Sequence, residues 1–256
     1  MKRKVKNSRK NKEFIEIYGF HTVKAALKNN NRKHQKLTIT KSNKENLDNK
    51  LLHKLNEIIV LPIQQINKFH GSENNHQGII LKTSKLEQPS LEEIIFNAGQ
   101  NKEIIVMLDH VCDPHNIGSI MRSCALFNCK SIVLAKNNSP EITSVIAKAA
   151  SGALEIVNYV QVTNISRAIE KLKKNNFWVI GLDNNENKFQ SKFKIPKKCL
   201  LILGSEGARL RNLTKKKCDE IQTIPMMSNS EFGIESLNVS NACTIARYEH
   251  FILNNN

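Results

Sequence analysis

The sequence predicts an α/β protein: a mostly parallel sheet in the C-terminal two-thirds, preceded by a smaller α/β unit. Three observations carry that reading. Short strand-like runs that are apolar throughout recur from Glu103 onward, helix-patterned segments separate most of them, and the polar, glycine-rich stretches fall directly after strands. Continuously apolar strands belong to sheets covered on both faces, whereas a sheet with one wet face alternates.

In chain order, residues 2–12 hold Lys2, Arg3, Lys4, Lys6, Arg9, Lys10 and Lys12 without a single acid. Such a segment buries too little apolar surface to offset its ordering entropy, so 1–13 reads as a disordered basic tail. Residues 14–86 then alternate between a helix-like H-T-V-K-A-A-L-K, a strand-like K-L-T-I-T, a helix near Leu47–Leu55, and the strand-like I-I-V-L-P and H-Q-G-I-I-L-K. His21, His53, His70 and His76 are scattered rather than spaced as ligands, which favours a binding module over an active site. The apolar periodicity lapses around Lys85–Ser90 and Pro89 appears, marking a linker at about 85–100 ahead of a domain spanning 87–256.

Strands are expected in that domain at Glu103–Asp109, Ser131–Ala135, Glu155–Val160, Phe177–Leu182, Cys199–Gly204 and Glu220–Pro225. Three helical stripes read as core: Ile117, Ile120, Met121 and Cys124; Ile142, Val145, Ile146 and Ala149; Val239, Ala242, Cys243 and Ala246.

Composition narrows the function. With 256 residues, 40% of them apolar, the chain can bury a substantial core. No apolar stretch approaches the ~20 residues that cross a bilayer, and no apolar segment follows the basic N-terminus as in a secretory signal, so a cytoplasmic protein is expected. Lys and Arg number 39 against 23 Asp and Glu, a net charge of +16; with the seven cations of the tail set aside the remainder still carries +9. That surplus points to a polyanion, most commonly nucleic acid. The six cysteines form no C-x-x-C pair and read as small packing residues, with no metal site expected.

Asp109–Gly118, Gly204–Gly207 and Met226–Asn238 each follow a strand. Ligands of open α/β sheets gather outside the carboxyl ends of strands, so three such loops can line one pocket, although each alone is ordinary turn chemistry. The glycines form neither G-x-G-x-x-G nor G-x-x-x-x-G-K-[ST], and no G-x-S-x-G elbow is present. Group transfer to nucleic acid stays open as one reading, and pattern alone stops there.

D-P-H-N-I-G-S-I-M-R-S at Asp113–Ser123, L-G-S-E-G at Leu203–Gly207, and I-P-M followed by S-L-N-V-S-N-A within Ile224–Ala242 resemble the three ordered motifs of the SpoU/TrmH branch of the SPOUT RNA methyltransferases. The resemblance includes S-G-A-L at Ser151–Leu154 and covers the second unit nearly end to end. I-Y-G-F-H-T-V-K-A-A-L near Ile17 and H-Q-G-I-I at His76 are similar to the substrate-binding domain of bacterial enzymes that methylate a guanosine 2′-hydroxyl in 23S ribosomal RNA, a domain that resembles ribosomal RNA-binding proteins.

The resemblance implies a trefoil knot, a homodimer whose active site uses both chains, and S-adenosylmethionine as cofactor, contacted around Leu203, Gly204, Gly207, Ile224, Met226 and Leu237. It also implies catalytic roles for Arg122, Asn116, Glu206, Ser236 and Asn238. Arg122 lies one helical turn after Gly118, and its side chain leans back towards the D-P-H-N loop. A guanidinium stays protonated, so stabilising developing alkoxide charge or positioning a phosphate suits it better than base action. Asn116 can orient Arg122 or cap a helix that begins at Ile117; Glu206 can orient the sulfonium or offset a helix dipole. Ser236 and Asn238 can hydrogen-bond the cofactor or the arginine. Arg209 replaces the family's usual glycine, and Met227–Glu235 is longer than the usual link. The expected reaction is 2′-O-methylation of a 23S rRNA guanosine, with a transfer-RNA guanosine or a non-catalytic ribosome-assembly role as alternatives.

Overall fold

A computed structural model describes residues 13–71, 75–99, 103–183, 195–205, 210–227 and 236–255. Residues 1–12 of the expected basic tail, together with Glu206, Gly207, Arg209 and 228–235, lie outside the described residues. The chain divides into two compact units, Met1–Glu87 with Ile142–Glu155, and Gln88–Glu141 with Ile156–Asn256.

The first unit runs β1 (Phe14–Tyr18), α1 (Phe20–Lys28), β2 (His34–Ile39), α2 (Lys41–Glu45), α3 (Asn49–Leu52), β3 (Glu57–Val60), α4 (Ile63–His70) and β4 (Ile79–Ser84). Its mixed sheet has the order β1-β4-β2-β3, with β4 antiparallel to β1 and β2, and β3 parallel to β2. Alternation along the strands separates two faces. Ile17, Leu37, Ile39 and Leu81 are fully buried, as are Val23, Ala26 and Leu27 of α1, while Tyr18 and Ile80 form a second small cluster with Ile66 of α4. On that second face a charged row, Glu16, Lys82, Lys36 and Glu57, stands in register across all four strands, with two central lysines flanked by acids.

Ile142–Glu155 completes this unit. Thr143 caps helix Ser144–Ala150, accepting a hydrogen bond from the Ile146 amide at 3.2 Å. The buried residues are Ile146, Ala147 and Ala150, so the expected stripe is rotated and Ile142 precedes the helix. The Thr22 hydroxyl donates to the Ala147 carbonyl at 3.1 Å. The S-G-A-L segment makes the exit turn: Ser151 has φ 50° and Gly152 φ 96°, and a Cβ on Gly152 would lie 2.8 Å from that of Ala25, which only glycine avoids. The chain then delivers Glu155 to Arg32. The guanidinium donates through Nε and Nη2 at 2.8–3.1 Å and through Nη1 to the Ser84 carbonyl at 2.6 Å, and Asn29 donates to the same carboxylate at 2.7 Å. Both side chains are essentially removed from solvent, at 0% and 6% exposed.

The second unit runs α5 (Leu91–Ala98), β5 (Ile104–Asp109), α6 (Pro114–Leu126), β6 (Ser131–Ala135), β7 (Asn158–Val162), α8 (Ile165–Lys174), β8 (Trp178–Leu182), β9 (Cys199–Gly204), α9 (Asn212–Lys215), β10 (Glu220–Gln222) and α10 (Val239–Asn255); the helix Ser144–Ala150 is α7 in chain order. The sheet order is β10-β8-β9-β5-β6-β7, and every neighbouring pair is parallel. Ile105, Met107, Val133, Leu200 and Ile202 meet Ile94 of α5 and Ile169 and Leu172 of α8 in one apolar cluster. Each such side chain contributes roughly 1.5–3 kcal/mol on full burial. The stripes Ile117–Cys124 and Val239–Ala246 are inward as expected, and α10 packs along α6 and against β9.

Three local expectations change. The strand expected at Glu155–Val160 begins at Asn158, because Ala153–Glu155 is a 3-10 turn that hands Glu155 to Arg32. The strand expected to Pro225 ends at Gln222, where its ladder to β8 stops. Within the stretch expected as a linker, Ser90 and Glu93 form a reciprocal capping box that starts α5. Among the cysteines, all free, Cys112 is exposed rather than packed, because it lies on the polar loop after β5.

At the opposite end of α6 from that loop, α10 buries Arg247, which donates to the Phe127 carbonyl and lies 3.1 Å from His250 Nδ1. A guanidinium has no acceptor, so Nδ1 must accept, and the ring proton sits on Nε2 facing the Pro196 carbonyl at 3.2 Å. Burial first, and the adjacent guanidinium second, hold the His250 pKa down to about 4.

Glu155→Ala should leave Arg32 buried without a counter-charge and lower stability by about 3–5 kcal/mol in urea denaturation. His250 sets an acid limit. Between its unfolded value of 6.5 and its folded value of about 4 the unfolded chain binds the extra proton, so stability is complete above pH 6.5 and declines towards pH 4. His250→Gln should remove up to about 3 kcal/mol of that pH dependence, read from melts across the range.

Candidate active site

Because the strands are parallel, β5, β9 and β10 all end at one edge, and the three motif loops leave from it. The first turns at His110, whose φ is 63°, and enters α6 at Asp113. Asp113 is the N-cap: its carboxylate accepts from the His115 and Asn116 amides at 3.2 and 3.1 Å, with Pro114 in the first helical position. The helix therefore starts three residues before the expected Ile117, and Asn116 is released from capping it.

Asn116 instead meets the third motif. Asn238 Nδ2 donates to Asn116 Oδ1 at 3.0 Å, while Asn238 Oδ1 accepts from the Ser240 amide at 2.8 Å and the Ser240 hydroxyl at 2.6 Å. Asn238 thus caps α10 and ties it to α6. One step further along, the Thr244 hydroxyl donates to the Ser240 carbonyl at 2.8 Å, leaving Ser123 to donate to Thr244 at 2.6 Å. The contacts 116–238, 123–244 and 127–248 advance together, so α6 and α10 run parallel with their N-termini side by side. Two positive helix ends converge there, which favours negative charge.

Arg122 is exposed on α6, and no hydrogen bond or ion pair engages it among the described residues. Ser236 is exposed beside Asn238 and Leu237 is half-buried. Leu203 and Ile224 are buried, and Gly204 and Met226 half-buried, so four of the expected cofactor residues border the ends of β9 and β10. Glu206 and Gly207 lie outside the described residues. No group of three or more His, Cys, Asp or Glu is arranged to hold a metal ion among those described.

Sequence reading missed two buried carboxylates on the same edge. Asp109, the last residue of β5, lies 2.6 Å from Arg211 Nη2 and accepts from Arg211 Nε at 3.2 Å and from the Thr214 hydroxyl at 2.6 Å. Asp183, which follows β8, forms an ion pair with Lys215. An aspartate closing an apolar strand was the available signal for each.

The profile of the SpoU rRNA Methylase family matches residues 103–248, and that of RNA 2′-O ribose methyltransferase substrate binding matches 17–89. The chain is 33% identical over 244 residues to the 23S rRNA (guanosine-2′-O-)-methyltransferase RlmB of Coxiella burnetii, covering 91% of this chain and 93% of that one. It is 31% identical to RlmB of Escherichia coli K12, covering 91% and 96%. The fold is similar to that of the SpoU methyltransferase AviRb from Streptomyces viridochromogenes in complex with AdoMet, with a TM-score of 0.74 at 19% identity over 96% and 92% of the two chains.

Asn238→Ala removes both the α10 cap and the link to Asn116. It should cost about 1 kcal/mol in thermal or chemical melts, the usual loss for an N-cap, while Ser236→Ala should leave stability within about 0.5 kcal/mol.

Proposed function

The chain belongs to the SpoU rRNA Methylase family, and we propose that it transfers a methyl group from S-adenosylmethionine to the 2′-hydroxyl of a guanosine in 23S rRNA. The observation that carries this reading is the junction of Asn116 and Asn238, where two helix N-termini meet, with Arg122 exposed six residues further along α6.

The cofactor residues fit the group. Buried Leu203 and Ile224 suit an apolar ring, and half-buried Gly204 and Met226 leave backbone groups within reach of polar edges. When bound, S-adenosylmethionine supplies a methyl carbon made electrophilic by its positive sulfur. The protein must align the ribose oxygen in line with that carbon and carry the charge that grows on the oxygen as its proton leaves. Alignment in such reactions supplies up to about 7–11 kcal/mol. Arg122 is assigned to the growing negative charge or to the adjacent phosphate, Asn116 and Asn238 to orienting that anion with the helix ends behind them, and Glu206 and Ser236 to the cofactor side.

Residues 14–86 are assigned to holding the RNA, supported by the match to the substrate-binding family and by the chain's charge of +16. The active unit is a homodimer. Ile245, Tyr248 and Ile252 form an exposed stripe on α10, Leu126 is exposed in the last turn of α6, and a second copy covers these side chains. The substrate places the enzyme in the cytoplasm. No described helix is long and apolar enough to cross a membrane.

Mapping 2′-O-methyl groups in RNA from cells lacking this protein should show one 23S rRNA guanosine unmethylated; intact ribosomal marks with a missing transfer-RNA mark overturn the substrate. Arg122→Ala should lower methylation by at least about a hundredfold, the scale of losing one charge-stabilising donor, with the calorimetric affinity for S-adenosylmethionine retained. Near-normal turnover overturns its role.

A further inference from the structure

Strand β9 lies between β8 and β5, and the loop that follows it carries the second motif. Both flanking strands lead into buried aspartates, Asp109 from β5 and Asp183 from β8, and both carboxylates face cations at the start and end of the same short helix, α9. Asp109 also stands in register with Gly204, the last residue of β9. One residue therefore fixes the departure of the loop through its backbone alignment and the return of the chain through its side chain.

The return is anchored a third way. Leu210 is buried in the main apolar cluster, and its Cδ1 lies 2.7 Å from where a Cβ on Gly181 would stand. The absence of a side chain at Gly181 makes the seat for Leu210. The next residue, Arg211, precedes α9 and reaches Asp109, and Thr214 and Lys215 supply the remaining contacts one turn later. Nothing in ordinary helix stability explains this arrangement, since α9 spans only Asn212–Lys215 and buries one residue, Thr214.

We propose that Asp109 and Asp183, acting through Arg211, Thr214 and Lys215, form a two-point clamp that sets the backbone of Leu203–Ser205 and Leu210 in its cofactor-binding conformation. This rests on the reading of Leu203 and Gly204 as cofactor residues. All five are positioning residues: they act by lowering the conformational freedom lost when the cofactor binds, so the clamp favours binding more than the chemical step. The pairs Arg211–Asp109 and Lys215–Asp183 tie the two ends of α9 to the strands on either side of β9, so loosening one point leaves the other to hold part of the geometry.

Calorimetry with S-adenosylmethionine and methylation kinetics test it. The parent chain is measured first, and no binding there overturns the cofactor reading itself. Given parent binding, Arg211→Gln and Lys215→Met should each raise the cofactor Kd and KM about tenfold. Their kcat at saturating cofactor should stay within about threefold, and their affinity for 23S rRNA should be unchanged. Arg211→Lys should recover part of the loss, and the double variant should be weaker than either single. Arg211→Gln keeps an amide donor towards Asp109, whose carboxylate also keeps the Thr214 hydroxyl; melts of each variant identify the folded ones on which binding is compared, and Arg211→Lys, which keeps the charge, serves where Arg211→Gln unfolds. Folded variants with parental cofactor Kd, or with equal losses in RNA and cofactor affinity, overturn the clamp.

Discussion

The parallel ladder between β5 and β9 is the constraint on which the C-terminal unit depends. It runs in register from Ile104 and Cys199 to Asp109 and Gly204. Parallel pairing delivers both strand ends to one edge; antiparallel pairing would send the first and second motifs to opposite ends of the sheet. A slip of one residue would turn the Asp109 carboxylate to the other face, away from Arg211 and Thr214, and would put its apolar neighbours where the carboxylate had been. Hydrophobic burial therefore enforces the register, and the register places the polar groups. Ile105, Met107, Leu200 and Ile202 do no chemistry, yet their burial together on one sheet face helps decide where the loop residues meet.

The packing of α6 along α10 supplies the second half of that edge. Their parallel course puts two helix N-termini together, an arrangement that repels like partial charges unless an anion or hydrogen bonds answer them. Asp113 answers at α6 with a full negative charge, and Asn238 answers at α10 with a neutral amide that also reaches Asn116. The junction is thereby closed, with a full charge answering the α6 end and only a neutral amide the α10 end, so the α10 end is the more electropositive of the two. At the far end, Arg247 lies near the C-terminal half of both helices, where a cation is favoured, and donates to the Phe127 carbonyl just beyond the last turn of α6.

Much of this was legible in the sequence because the C-terminal strands are apolar at nearly every position and the motif loops follow them directly. Stripes such as Ile117–Cys124 identified the buried face of α6 correctly. What escaped depends on partners distant in the chain. Glu155 looked like the start of a strand because its neighbours are apolar, and only Arg32, 123 residues away, draws it into a turn. Asn116 looked like a cap because it precedes an apolar stripe, but Asp113 with Pro114 competes better for the first turn, and the amide then finds Asn238 122 residues on. The strand at Phe14–Tyr18 and the helix at Ile63–His70 are short and mixed in character, so their identity comes from the sheet they join. The roles of Asp109 and Asp183 were hidden for the same reason: one acidic residue at the end of an apolar run signals a strand end, and its cation cannot be named until the chain is folded.

The charge that first suggested a nucleic acid is divided by the fold into two populations. Arg32, Arg211 and Lys215 face buried carboxylates, and Lys171, Lys173 and Lys217 pair with Glu92, Asp219 and Glu170. Each pair withdraws one acid with one base, so the surplus of +16 is undiminished and rests on the cations left over. Pairs with a buried carboxylate are screened much less by mobile ions, whereas surface cations exchange condensed counterions for phosphates and weaken as salt rises. A chain built this way uses its internal pairs to fix shape and its surface excess to gather a polyanion. Net charge read from composition measures only the second, which is why it could indicate RNA and yet say nothing of the buried aspartates that face Arg211 and Lys215.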